Sequence, residues 1–89
     1  GGNPLAMAVG AAVLDVLTGE GFLEGVRRTA GVLTQGLESL KDRYPELVEG
    51  LTGRGLLRGV RMTRDPMPAR MGLIERGLLV GTAGGNVLR

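Results

Sequence analysis

From Leu5 to Leu14 the chain carries no polar side chain, and this run directly follows Gly1-Gly2-Asn3-Pro4. Proline suits the first helical position and asparagine before it is a good N-cap, so a helix starts here. The pattern predicts it over Leu5 to about Leu17. A helix that is apolar all round has to be covered on every side. A bilayer does not supply that cover, because a membrane span takes roughly 20 apolar residues and this run is much shorter. The helix is built to be buried against protein.

The rest of the chain has limited means to bury it. The 89 residues allow one small domain, and a chain near this size hides only about 60–65% of its unfolded surface. Phe22 and Tyr44 are the only aromatic residues, so Leu, Val, Ala and Met must fill the core. There is no cysteine, hence no disulfide and no thiolate metal site, which fits a cytoplasmic protein. There is no histidine, which removes Ser-His and Cys-His nucleophile pairs and the usual zinc ligand sets. No metal site is expected. The net charge of +2 comes almost entirely from arginine, Lys41 being the only lysine. Those arginines are dispersed among acids and lack stacking aromatics, which argues against nucleic acid as a partner. With no initiator methionine, charged n-region or secretory h-region, the chain reads as an internal piece of something longer.

After a break at Thr18-Gly19-Glu20-Gly21, the pattern becomes one-sided. Phe22, Val26, Ala30, Leu33, Leu37 and Leu40 recur at spacings of three and four, which predicts an amphipathic helix ended by Tyr44-Pro45. Gly25, Gly31 and Gly36 each cost this helix about 1 kcal/mol against alanine, so it leans on packing. Between Gly50 and Met62, Gly53, Gly55 and Gly59 punctuate an apolar run, Leu56 to Met62, which reads as a strand with a close backbone approach. Thr63 to Pro68 is a loop with helix-start chemistry, and Ala69 to Arg76 is a short helix closed by Gly77. Leu78-Leu79-Val80 reads as a strand, Gly81 to Gly85 as a flexible turn and Asn86 to Arg89 as a second strand. The expected order is α-α-β-α-β-β, an α+β fold with a small, mostly antiparallel sheet.

Few residues carry chemistry. Gly53, Gly55 and Gly59 suggest a dinucleotide loop, but their spacing has one residue too many and they do not sit between strand and helix. Bulges and tight turns explain them better. Lys41 could form an imine, yet it belongs to a polar helix end with nothing to desolvate it, and a solvated lysine is the better reading. The carboxylates show no paired acid–base spacing. Gly1-Gly2-Asn3 offers backbone N–H groups at a helix start, read either as an anion site or as a plain cap, with the cap favoured. Arg89 ends an apolar strand. A guanidinium held there can take a carboxylate bidentately or simply form a rim salt bridge.

In order along the chain, Gly1-Gly2-Asn3-Pro4-Leu5-Ala6, Ala12 to Leu17, Gly53-Arg54-Gly55-Leu56-Leu57-Arg58-Gly59, Arg76 to Val80 and Asn86-Val87-Leu88-Arg89 resemble the C-terminal part of class III pyridoxal-phosphate aminotransferases. Within that family they are most similar to its acetylornithine branch. The resemblance covers the whole chain. Arg58 and Met7 depart from it, standing where an apolar and a small residue are common.

The resemblance implies the small C-terminal domain segment of a fold type I pyridoxal-phosphate transferase, with residues 1–18 an interdomain and interface helix and 19–89 a truncated small domain. It implies a cytoplasmic homodimer that moves an amino group from N-acetylornithine, or a related ω-amino donor, to 2-oxoglutarate in arginine biosynthesis. Ornithine and 4-aminobutyrate stay open as donors. Arg89 would hold the substrate α-carboxylate, and Gly1, Gly2 and Asn3 would lie beside the cofactor. The imine-forming lysine would lie in the large domain, leaving no catalytic residue in this span and the 89-mer inactive. The competing expectation is a free-standing α+β interaction module whose apolar helix docks into a partner. On the aminotransferase reading the apolar helix lacks its partners here, so the isolated chain should be loosely folded or poorly soluble.

Overall fold

In a computed structural model describing residues 2–89, the chain forms three helices and a four-stranded antiparallel sheet. Helix α1 (Pro4–Leu17) leads into α2 (Phe22–Arg43), then β1 (Val48–Arg54), β2 (Leu57–Met62), α3 (Met67–Glu75), β3 (Thr82–Ala83) and β4 (Val87–Leu88). The sheet runs β1-β2-β4-β3.

Helix α1 begins where the sequence says it should. The Asn3 side-chain oxygen accepts hydrogen bonds from the N–H groups of Leu5 (2.9 Å) and Ala6 (3.4 Å). At the other end the Thr18 hydroxyl donates to the Leu14 carbonyl at 2.7 Å. No residue of α1 is buried, and its large side chains range from 38% exposed at Leu17 to 73% at Leu5. Its one companion patch lies at the junction with α2, where Val9, Ala12, Val13, Val16 and Leu17 meet Phe22. Burying one such side chain is worth about 1.5–3 kcal/mol. Helix α1 collects little of that within these residues.

The second helix packs by the predicted stripe. Val26, Ala30, Leu33 and Leu37 are half-buried, whereas Phe22 and Leu40, at its two ends, stay exposed. Lys41 is half-buried too, one turn after Leu37, and so lies on the packed side of α2 and not on the polar face expected for it. Tyr44 caps the helix and the chain turns directly into the sheet.

One strand was not legible in the sequence. Residues 48–54 form β1, which pairs with β2 from Val48↔Met62 to Arg54↔Leu57 around a turn at Gly55-Leu56. Gly50, Thr52 and Gly53 conceal its alternation, and a register shift between Val48 and Gly50 breaks it again. The close approach expected at the glycines is real at Gly59. A Cβ there would collide with the Thr52 hydroxyl and lie 2.8 Å from a Val87 methyl.

The final hairpin is displaced from its predicted place. Leu78 to Val80 is not part of the sheet. Its place is taken by β3, inside the segment expected to be a flexible turn, and Asn86 belongs to the turn with φ 62°. The cause is the end of α3. Gly77, at φ 92°, closes the helix with its N–H donated to Ile74 O (3.0 Å) and that of Leu78 donated to Leu73 O (2.9 Å). This closure consumes Leu78, so the apolar triplet lies along α3 and pairing starts later. Helix α3 also starts early, at Met67, because Asp65 accepts the Met67 N–H at 3.0 Å.

Val48 and Val87 are the only buried large apolar residues among the described ones, each 6% exposed. The radius of gyration is 17.1 Å, against about 12 Å for a compact domain of this length. The large radius follows from α1 standing away from the sheet, its element contact being to α2.

Candidate functional site

An apolar groove of about 770 Å³ opens between α2, the sheet and α3. Leu33, Leu37 and Leu40 supply the α2 wall, Val60 and Leu88 the sheet, and Leu73 the α3 side. Arg58, Arg76 and Arg89 are the charged side chains that line it, with no carboxylate among them. The alternation of β2 places Arg58 on the same side as Val60 and Met62, all three facing the groove. The Arg58 Nε is buried and has no hydrogen-bond partner. A buried donor left unpaired costs about 1–3 kcal/mol, more for a charged group. The groove is therefore electrostatically one-signed and suited to an acidic group.

Arg89 sits at this groove with its side chain exposed and its backbone fixed. The Gly81 N–H donates to the Arg89 carbonyl at 2.7 Å, and the Arg89 N–H donates back to the Gly81 carbonyl at 2.9 Å. This reciprocal pair extends the β3–β4 ladder by one step beyond Thr82↔Leu88. A strand-anchored guanidinium with a free fork of donors can grip a carboxylate bidentately.

The other candidate residues lie elsewhere. Gly2 and Asn3 are at the start of α1 and do not line the groove with Arg89; Gly1 lies outside the described residues. Since Asn3 holds the Leu5 and Ala6 N–H groups and Met7 donates to the Asn3 carbonyl at 2.9 Å, the first turn of α1 is already capped. These donors do not make a phosphate cradle on their own, so the described residues do not fit pyridoxal phosphate as a self-contained site. Lys41, on α2, does not line the groove either. No group of three or more metal-ligating side chains occurs among the described residues. No single helix among them is long and apolar enough to cross a membrane, although α1 and α2, bent by 71°, reach that length and composition together.

Two arginines matter more here than the sequence suggested. Arg58 carried a signal, a charge within an apolar strand at the inward position. Arg70 carried none. Its Nε donates to the Val80 carbonyl at 2.9 Å and its Nη1 lies 4.0 Å from the Met67 sulfur. No spacing rule pairs a helix residue with a carbonyl beyond the helix end.

The sequence is similar to those of known proteins. The class III aminotransferase family model matches residues 1–89. The chain is 47% identical over 89 residues to the acetylornithine aminotransferase of Mesorhizobium japonicum, covering all of this chain and 22% of the relative. It is 49% identical over 89 residues to that of Brucella melitensis, again covering all of this chain and 22% of the relative. A 49-residue stretch, 55% of this chain and 12% of the relative, is 69% identical to the acetylornithine aminotransferase of Agrobacterium fabrum. The chain thus spans about a fifth (22%) of the length of the relatives that match it end to end.

Proposed function

The chain belongs to the class III aminotransferase family, and we propose that within the whole enzyme it supplies the arginine that recognises the substrate α-carboxylate. The reaction is transfer of an amino group from N-acetylornithine, or a related ω-amino donor, to 2-oxoglutarate. Support comes from relatives named acetylornithine aminotransferase at 47% and 49% identity across the full chain. The observation that carries the role of Arg89 is its double backbone tie to Gly81 at 2.7 and 2.9 Å, which fixes the root of an exposed guanidinium.

Arg89 binds the carboxylate adjacent to the carbonyl that will receive nitrogen and so sets the orientation of that carbon. The chemistry of transamination needs an electron sink and an imine-forming lysine. Pyridoxal phosphate supplies the first when bound. The second comes from the large domain, since Lys41 lies away from Arg89's groove. Gly1, Gly2 and Asn3 are the cofactor-adjacent residues, and Asn3 also starts α1 at a fixed place.

Residues 1–18 then act as an interdomain and interface helix and 19–89 as part of the small domain, in a cytoplasmic homodimer. The exposure of α1 supports this, because an apolar helix of this kind needs protein on its other faces. On this reading the 89-mer alone is inactive.

The test is steady-state kinetics on the full-length enzyme carrying Arg89→Lys. Lysine keeps the charge but loses the fork, so the KM for the oxo acid rises by about tenfold or more. An unchanged KM removes Arg89 from the proposed role.

A further inference from the structure

We infer that Arg70 is a positioning residue for Arg89, acting through the chain segment that joins α3 to β3. The inference rests on the carboxylate role proposed for Arg89. Three links connect the two side chains. The Arg70 Nε donates to the carbonyl of Val80 at 2.9 Å, in a part-buried setting. Val80 is followed directly by Gly81. Gly81 exchanges hydrogen bonds of 2.7 and 2.9 Å with Arg89.

The segment needs such a clamp. Leu78 to Val80 has no partner in the sheet, and Leu78 and Leu79 are 55% and 82% exposed. The helix closure at Gly77 ties the segment down only as far as Leu78, through its bond to Leu73. The sheet takes hold again at Gly81. Between those points, Arg70 makes the one side-chain bond to the segment among the described residues. A hydrogen bond from a charged donor is stronger than a neutral one, and partial burial raises its worth further.

Arg70 is also well placed to act from a rigid base. It lies in the first turns of α3, whose N–H at Arg70 donates to the carbonyl of Pro66 at 2.9 Å, and Pro66 is buried. The stem of Arg70 thus starts from a fixed helix, and its Nη1 meets Met67 on the same helix. Releasing the clamp lets the Val80 carbonyl and the Gly81 pair drift, and the Arg89 guanidinium drifts with them. Small displacements of a positioning group are costly in a closed site.

The experiment uses the full-length enzyme with Arg70→Met, Arg70→Lys, Arg89→Met and the double variant Arg70→Met with Arg89→Met. Arg70→Met raises the oxo-acid KM about fivefold while kcat stays within about twofold. Arg70→Lys, which retains a donor, recovers most of the loss. In the double variant Arg70→Met adds less than about twofold to the KM of Arg89→Met, because its effect runs through Arg89. Amide hydrogen exchange supplies an independent readout. Arg70→Met speeds exchange in the peptide spanning Gly81 to Arg89 and leaves α2 unchanged. Unchanged exchange in that peptide, or KM factors that multiply fully in the double variant, overturns the positioning role. If Arg89→Met leaves KM at the parent value, it is the carboxylate role that fails, and the exchange data still decide whether Arg70 holds the segment.

Discussion

Gly81 and Arg89 exchange both of their backbone hydrogen bonds, at 2.7 and 2.9 Å, and so form the last rung of the β3–β4 ladder. That rung ties the one exposed arginine at the end of β4 to the segment leaving α3. Replacing Gly81 with proline removes the N–H that donates to the Arg89 carbonyl. In the full-length enzyme, Gly81→Pro lowers stability by about 1–2 kcal/mol and weakens oxo-acid binding. Thermal melts and KM measured on the same preparation check both.

Gly59 permits a close side-chain contact within the sheet. Gly59→Val places atoms where the Thr52 hydroxyl and the Val87 methyl already sit, so β2 has to move away from β4. Overpacking of this kind costs about 1–3 kcal/mol. Urea denaturation of the full-length variant measures it, and Thr52→Ala in the same background recovers part of the loss by clearing one of the two obstacles.

Asn3 caps α1 through two hydrogen bonds to its side-chain oxygen, at 2.9 and 3.4 Å. Asn3→Ala costs about 1 kcal/mol, whereas Asn3→Asp keeps the acceptor and is nearly neutral. Denaturant midpoints of the two variants are expected to differ by that amount, with Asn3→Asp close to the parent.

The isolated 89-residue chain carries six large apolar side chains on α1, Leu5, Met7, Val9, Val13, Leu14 and Val16, each exposed by 50% or more. Alone in solution it self-associates or melts without cooperativity, and it binds a hydrophobic dye strongly. Dye fluorescence and sedimentation velocity are the checks. A monodisperse monomer with a sharp melt contradicts the expectation.

These elements were unequally legible. The three helices were readable because each has a local start or stop: Asn3-Pro4, the break ending at Gly21, Tyr44-Pro45 and Gly77 all act within a turn of where they stand. The α2 stripe was readable from its period, apart from Lys41, which is half-buried one turn after Leu37. Strand β1 was hidden because Gly50 and Gly53 remove two of its side chains and the register shift removes the alternation. The final hairpin was misplaced because helix closure at Gly77 competes with strand pairing for the same residues, and local pattern does not rank the two. Arg89 stood out as a charge ending an apolar strand. The clamp from Arg70 to Val80 did not, since it joins two elements by a side-chain bond to a carbonyl, a contact that leaves no periodic trace.

Discrimination between two oxo substrates tests the central claim, that Arg89 recognises the α-carboxylate, most directly. 4-Oxobutanoate is 2-oxoglutarate without that carboxylate and keeps the distal one. In the full-length parent enzyme, kcat/KM favours 2-oxoglutarate. In Arg89→Met this preference falls by about tenfold or more, the worth of at least one charge-assisted hydrogen bond, with the 4-oxobutanoate reaction itself nearly unchanged. Equal losses on both substrates, or an undiminished preference for 2-oxoglutarate, contradict the claim.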